Sequence, residues 1–335
     1  MNFWQKLSKP FFVLAPLADV TDPAFRRIIA KYSKQTVQPP NVAQKGGLAV
    51  MFTEFVSADG LALAPEEGRK KLLADLAYTE SERPIVAQFF TSRPENMEKA
   101  ASLAYELGFD GVDINMGCPD KSIEKQKAGA AMIRNPELAK EVIAAAIAGA
   151  KGLPVSVKTR IGYNKVELET WVPHLLSTGI SALTIHARTR KEMSLVPAQW
   201  EQVKRTVELR NELNPNVLIL GNGDAKGIED AREKAKESGA DGVMLGRAIF
   251  GNPWLFSNIG HPMSDISVGE KLTVMVEHTK LFEELLPHKN FAIMKKHYKA
   301  YVSGFDGAAE LRGKLMESKD SSEVEEVVTH FLNSL

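Results

Sequence analysis

A single cysteine, Cys118, stands in the run Asn115-Met116-Gly117-Cys118-Pro119, between a glycine and a proline. A thiol in such a place can be a small apolar filler, a nucleophile or a proton donor. Its ordinary pKa of about 8.5 leaves it mostly protonated at neutral pH, which suits a general acid. No histidine adjoins it in sequence to act as its base, although His186 can approach it in space. Lys158, in Val155-Ser156-Val157-Lys158-Thr159-Arg160, offers a cation to a ring that becomes anionic on reduction. The stretches Gly221-Asn222-Gly223-Asp224 and Gly246-Arg247 supply backbone N–H groups and a guanidinium, the means by which loops bind phosphate. No carboxylate and histidine set with metal-ligand spacing appears, so the expected cofactor is organic and phosphorylated, with no metal.

Chemistry of this kind needs a scaffold that brings distant positions to one place. Eight short β-rich runs, at 11–15, 50–53, 85–89, 111–115, 155–158, 182–186, 217–221 and 242–246, alternate with helical stretches. Several of the runs lack polar alternation, as parallel strands buried on both faces do. Helices are expected over 94–107 and 136–150, each opened by a polar residue and proline. Leu107-Gly108-Phe109-Asp110-Gly111 and Ser238-Gly239-Ala240-Asp241-Gly242 repeat one device, a helix ended by glycine before a tight strand entry. Eight βα units predict a (β/α)8 TIM barrel over residues 1–260. A doubly wound open sheet fits less well, because no G-x-G-x-x-G follows the first strand. From Val268 onward the pattern is helical, which predicts a small all-helical domain over 261–335. The polar, proline- and glycine-bearing stretch 33–47 is expected to be an exposed insertion. In a barrel, the carboxyl ends of the strands carry the site, and here those ends read Ala15-Pro16-Leu17, Thr53-Glu54, Gln88, Asn115 to Cys118, Lys158 to Arg160, His186 to Arg188, Asn222 to Asp224 and Gly246-Arg247.

Composition narrows the partners less sharply. Formal net charge is zero over 335 residues, so no global field favours polyanions, yet a local basic face can still grip phosphates. Residues 287–314 carry Lys289, Lys295, Lys296, Lys299, Arg312 and Lys314 against Asp306 and Glu310, which composition alone reads as a solvated helical face. One cysteine excludes an internal disulfide and fits a reducing, cytoplasmic setting. No run reaches the ~18 apolar residues of a spanning helix, so no membrane partner is expected.

The motifs LAPLADVTDPAFR (14–26), TEFVSA (53–58), QFFTSRPE (88–95), DINMGCPDKSI (113–123), KAGAAMIRNPE (127–137), VSVKTRIG (155–162), LTIHARTR (183–190), GNGD (221–224) and GVMLGRAIFGNPWLF (242–256) together resemble the tRNA-dihydrouridine synthases. HYKAYVSGFDGAAELRGKL (297–315) is more loosely similar to that family's helical RNA-binding domain. The resemblance implies FMN reduced by NADPH or NADH, hydride transfer from the flavin to carbon 6 of a uracil in tRNA, and protonation of carbon 5 by Cys118. It also implies that Pro16, Leu17 and Ala18 lie against the isoalloxazine. Gln88, Lys158 and His186 would contact its polar edge, and Asn222, Gly223, Asp224, Gly246 and Arg247 would hold its phosphate. Asn115 would help read the uracil, with Arg160, Arg188 and Arg190 as phosphate or uracil contacts and Lys295, Lys296 and Lys299 as the grip on RNA. Family precedent leans towards a monomer. A uridine in folded RNA must leave its stack to reach a barrel mouth, so a deep pocket and an external grip are both needed.

Two positions depart from the family pattern. Asp19 stands where glycine is usual, which raises the expectation of a carboxylate near the cofactor, and Thr91 stands in place of another glycine. The alternative function is a small-molecule FMN barrel enzyme, of the dihydroorotate dehydrogenase or ene-reductase kind. The helical C-terminal region discriminates against it, because a free pyrimidine needs no such appendix.

Overall fold

The computed structural model describes residues 2–34, 47–257 and 266–334. Eight parallel strands close into one barrel in sequence order: β1 (Phe11–Leu14), β2 (Leu48–Ser57), β3 (Ile85–Phe90), β4 (Gly111–Met116), β5 (Val155–Arg160), β6 (Ala182–His186), β7 (Leu218–Asn222) and β8 (Gly242–Leu245). All eight runs expected from the sequence are strands. β2 is much longer than expected, continuing through Glu54 to Ser57 with a register irregularity between Phe52 and Phe55.

The strands bury two different apolar populations, which explains the missing polar alternation. Outward residues such as Phe12, Leu14, Ile114, Val157, Leu183 and Val243 pack under the helices. Inward residues near the strand starts, among them Phe11, Val13, Val50, Phe52, Val86 and Ala182, form a second cluster closed below by Trp4. Further along several strands the inward positions turn polar. Ala182 gives way to Thr184 and His186, Leu220 to Asn222, and Val86 to Gln88. The barrel therefore has an apolar base and a polar mouth.

Helices Pro94–Glu106 and Pro136–Gly149 occupy the expected stretches, and Asn135 caps the second by accepting from the Leu138 N–H. Gly108 and Gly239 both take positive φ, as the repeated helix-to-strand device requires. Its aspartates do the same work twice. Asp110 accepts from the Ile85 N–H and pairs with Arg83, while Asp241 accepts from the Ile219 N–H and pairs with Arg210. Each carboxylate thus satisfies an amide at the start of the neighbouring strand, the first of β3 and the second of β7.

Helices Val268–Leu285, Met294–Tyr301, Ala308–Glu317 and Ser321–Leu332 form the C-terminal region. They pack on helix Pro23–Lys34 of the barrel and share a single apolar cluster with it. The His278 ring stacks on Phe25 at 4.8 Å, and Glu277 accepts from Lys31 at 2.7 Å and from Tyr32 at 2.8 Å. The boundary between 260 and 261 and most of the 33–47 insertion lie outside the described residues.

Candidate active site

A cavity of about 310 Å³ opens at the carboxyl ends of the strands. Asn115 and Lys158 sit side by side there because β4 and β5 pair in that register. Beneath it lies a buried polar layer. Gln88 donates to Asp113 at 2.6 Å and accepts from Asn115 at 3.2 Å, and Ser156 donates to Asp113 at 2.5 Å. Burial pushes the Asp113 carboxyl up to about 6, against the hydrogen bonds from Ser156 and Gln88 and the charge of Lys158.

The loop after β4 is held rigidly. The Asn115 side-chain oxygen accepts from the N–H groups of Gly117 at 3.1 Å and Cys118 at 2.9 Å, and the Cys118 carbonyl accepts from Ala130 at 2.9 Å. Gly129 makes that approach possible. Its φ is +62°, and a Cβ there would fall 2.7 Å from the Cys118 carbonyl oxygen. Burial pushes the Cys118 thiol above its ordinary range; the Asp120 N–H, Arg160 and Lys158 oppose that only in part. The thiol is therefore held protonated at neutral pH.

Facing it is a wall of cations. Lys158, Arg160, Arg188 and Arg247 all line the cavity, and Asp224 is the only carboxylate among the lining residues. Lys158 makes no hydrogen bond or ion pair with any described residue. Burial, then Arg160, lower its pKa from 10.5 to about 8, with Asp113 opposing. His186 is held well below its ordinary value by burial and by the surrounding cations, so its ring is neutral. Arg188 lies 3.3 Å from the His186 Nε2. Asp224 bridges Arg188 at 2.5 Å and Arg247 at 2.6 Å, which fixes both guanidinium groups. Gly223, at φ +130°, lets the chain pass Ala198, whose Cβ would be 2.8 Å from any Cβ added there. A half-buried ammonium without a hydrogen-bond or ion-pair partner among the described residues, on an electropositive wall, fits an anionic, phosphorylated group.

Most of the residues expected at the site meet in this cavity. Pro16, Leu17 and Ala18 form one side, Asn115 and Cys118 another, and Lys158, Arg160, His186, Arg188, Asn222, Gly223, Asp224, Gly246 and Arg247 the rest. Gln88 does not line it; the side chain is buried in the layer below. Arg190 does not line it either, being paired with Glu124 through two hydrogen bonds and packed over Tyr163. Arg160 reaches the cavity, but its guanidinium also binds the carbonyls of Gly117, Thr189 and Met193. Asp19 does not bring its carboxylate to the cavity. Its backbone is left-handed at φ 53°, a conformation that short polar side chains tolerate, and its N–H donates to Glu54. Thr91 turns its hydroxyl to Asp59 at 2.6 Å and accepts from the Arg93 N–H at 2.9 Å.

The basic stretch also divides. Lys289 is not a surface residue; it is an inward ion pair with Glu54 at 2.7 Å and Asp75 at 3.1 Å. His297 is fully buried. Lys295 and Lys296 are partly exposed and Lys299 is exposed, with no ion pair to any described residue. Sequence reasoning missed Phe55, Ser194, Ala225 and Met244 in the cavity wall. Phe55 falls inside TEFVSA, so the motif itself was the available signal. No cluster of three or more His, Cys, Asp or Glu suited to a metal occurs among the described residues, and no described helix is long and apolar enough to cross a membrane.

Known proteins resemble the chain over nearly its whole length. A protein of Bacillus subtilis (strain 168) named probable tRNA-dihydrouridine synthase 2 is 39% identical over 336 residues, covering 98% of this chain and 96% of its own length. The probable tRNA-dihydrouridine synthase of Staphylococcus aureus (strain COL) is 37% identical over 333 residues, covering 98% and 95%. A histamine dehydrogenase from Rhizobium sp. 4-9 superposes with a TM-score of 0.54 at 12% identity, over 81% of this chain and 48% of that one, a likeness of fold alone. The family model for dihydrouridine synthases matches residues 13–335. The chain belongs to the dihydrouridine synthase family, whose members are flavin-dependent oxidoreductases.

Proposed function

We propose that the protein reduces the 5,6 double bond of uridines in tRNA, with FMN as the bound flavin and NADPH or NADH as the reductant. The observation that carries this reading is that the half-buried Lys158 ammonium, without a hydrogen-bond or ion-pair partner among the described residues, and the Cys118 thiol line one cation-walled cavity. When bound, FMN supplies the hydride that carbon 6 of the uracil accepts. Cys118 gives its proton to carbon 5, a coupling worth about 10²–10⁴ in rate. Lys158 would hold a negative charge on a bound flavin, and the neutral His186 would donate or accept a hydrogen bond at the ring's edge. Gly223, Gly246 and Arg247 hold the phosphate, and Asp224 acts on it indirectly by fixing Arg188 and Arg247. Pro16, Leu17 and Ala18 supply an apolar platform for the ring. Asn115 keeps the cysteine loop in place and has one amide hydrogen left to offer the uracil.

Residues 1–260 serve as the catalytic unit and 261–335 as the part that grips RNA, through Lys295, Lys296 and Lys299. The protein acts as a cytoplasmic monomer. The test is incubation of the purified protein, loaded with FMN, with NADPH and an unmodified tRNA transcript, followed by mass spectrometry of the nucleosides. Dihydrouridine is expected. Rapid NADPH oxidation with a free pyrimidine, and none with tRNA, refutes the reading.

A further inference from the structure

Four of the nine large apolar side chains exposed among the described residues stand on two adjacent loops at the barrel mouth: Val166 after β5, and Met193, Leu195 and Val196 after β6. The loops are joined by hydrogen bonds from the Arg190 N–H to the Gly162 carbonyl and from the Lys191 N–H to the Tyr163 carbonyl, both 2.9 Å. Scattered exposed leucines need no explanation, but a cluster at a cavity rim does. Leu195 is 84% exposed and follows Ser194, which lines the cavity.

The exposure is not that of a loose loop. Buried Arg160 donates to the Met193 carbonyl at 2.9 Å, and buried Arg188 donates to the Val196 carbonyl at 2.5 Å. The Glu192 carboxylate accepts from the Thr189 N–H at 2.7 Å and from Gln199 at 3.1 Å. Met193 is held at φ 51°, a strained conformation for an unbranched apolar residue. Two buried guanidinium groups and one strained residue thus present an apolar tip to solvent beside the site. Such a frame cuts the ordering cost of any contact the tip makes.

We propose that Met193, Leu195 and Val196 form an apolar wedge against the nucleobases that flank the target uridine in folded RNA. The inference rests on the RNA reading above. Extruding a base exposes the faces of its neighbours, and apolar side chains inserted at such a step cover surface that would otherwise meet water. The wedge stands beside the cavity that receives the extruded base, so a single approach of the RNA engages both.

The test compares the wild type with Leu195→Ser and Leu195→Met, all loaded with FMN. Leu195 does not line the cavity, so reduction of the flavin by NADPH without RNA should be unchanged in both. On an unmodified tRNA transcript, kcat/KM for the serine variant should fall about tenfold, which corresponds to about 1.4 kcal/mol, while the methionine variant stays near wild type. A transcript with 2-aminopurine beside the modified position should brighten on binding wild type and less on binding Leu195→Ser. The wedge is overturned if the serine variant turns over tRNA like wild type, or if methionine fails as badly as serine. If the wild type itself forms no dihydrouridine in tRNA, the functional reading falls and takes the wedge with it.

Discussion

Replacing Lys158 by methionine should stabilise the flavin-free protein while removing its hold on the flavin. The ammonium has no partner among the described residues, and its pKa falls from 10.5 to about 8 through burial and Arg160. Each pKa unit corresponds to about 1.36 kcal/mol, so keeping this charge costs on the order of 3 kcal/mol at neutral pH. The attraction of Asp113 is already contained in that shift, and the water admitted at the cavity mouth screens the charge and reduces the expected gain to about 1–2 kcal/mol. With an unfolding entropy of about 2.1 cal/mol/K per residue, that corresponds to a rise of roughly 1–3 °C in Tm. The sign reverses the usual lysine case, because the folded-state pKa lies below the unfolded one. Below about pH 8 both states carry the proton and the cost is fully present. As pH rises from there towards 10.5 the folded chain releases its proton first, the wild type gains stability, and the gap should close. Thermal melts of flavin-stripped wild type and Lys158→Met at pH 7 and pH 10, with flavin binding followed by absorbance, measure all three effects. A variant that melts below wild type at pH 7, or a gap that ignores pH, would refute the argument.

Cys118→Ala should keep its yellow colour yet form dihydrouridine about 10²–10⁴ times more slowly; turnover like the wild type removes the thiol from the mechanism. Because burial holds that thiol protonated, the wild-type rate should stay level past the ordinary thiol value of about 8.5 and decline only at higher pH, which stopped-flow reoxidation by tRNA can follow. Glutamate at both Lys295 and Lys296 should weaken tRNA binding and lower the slope of log K against log salt by about 2, with flavin content untouched; an unchanged slope means neither lysine meets a phosphate. Lys289→Met strands Glu54 and Asp75, and should cost about 3–5 kcal/mol in a denaturant melt, part of which Glu54→Gln in the same chain restores.

The ring of strands was legible because a strand buried on both faces shows as a short apolar run, which several of the eight runs do, and because the runs alternate with helical stretches. The underestimated length of β2 has a physical cause. Thr53 and Glu54 look like a polar terminus, whereas Glu54 is buried against Lys289 and the strand runs on. Helix Glu66–Asp75 escaped notice because it buries no residue and so carries little amphipathic signal. Within the site, residue types were readable but their engagement was not. Gln88 and Arg190 were read as free to meet ligand and Lys289 as part of a solvated face, yet each is held by a carboxylate, 25, 66 and 235 positions away in the chain. Asp19 shows the same limit, since the exception to the pattern was visible and the left-handed backbone that demands glycine or a short polar residue was not.

The apolar seam between helix Pro23–Lys34 and helix Val268–Leu285 limits how the chain can be cut or recombined. A fragment ending before residue 266 would strip His278 and His297 from Phe25, which is fully covered in the intact chain, and leave Glu54 and Asp75 facing each other without Lys289. Such a fragment should be sticky and prone to clump. A swap of recognition modules between relatives therefore has to carry the matching face of the first helix along with the transplanted helices.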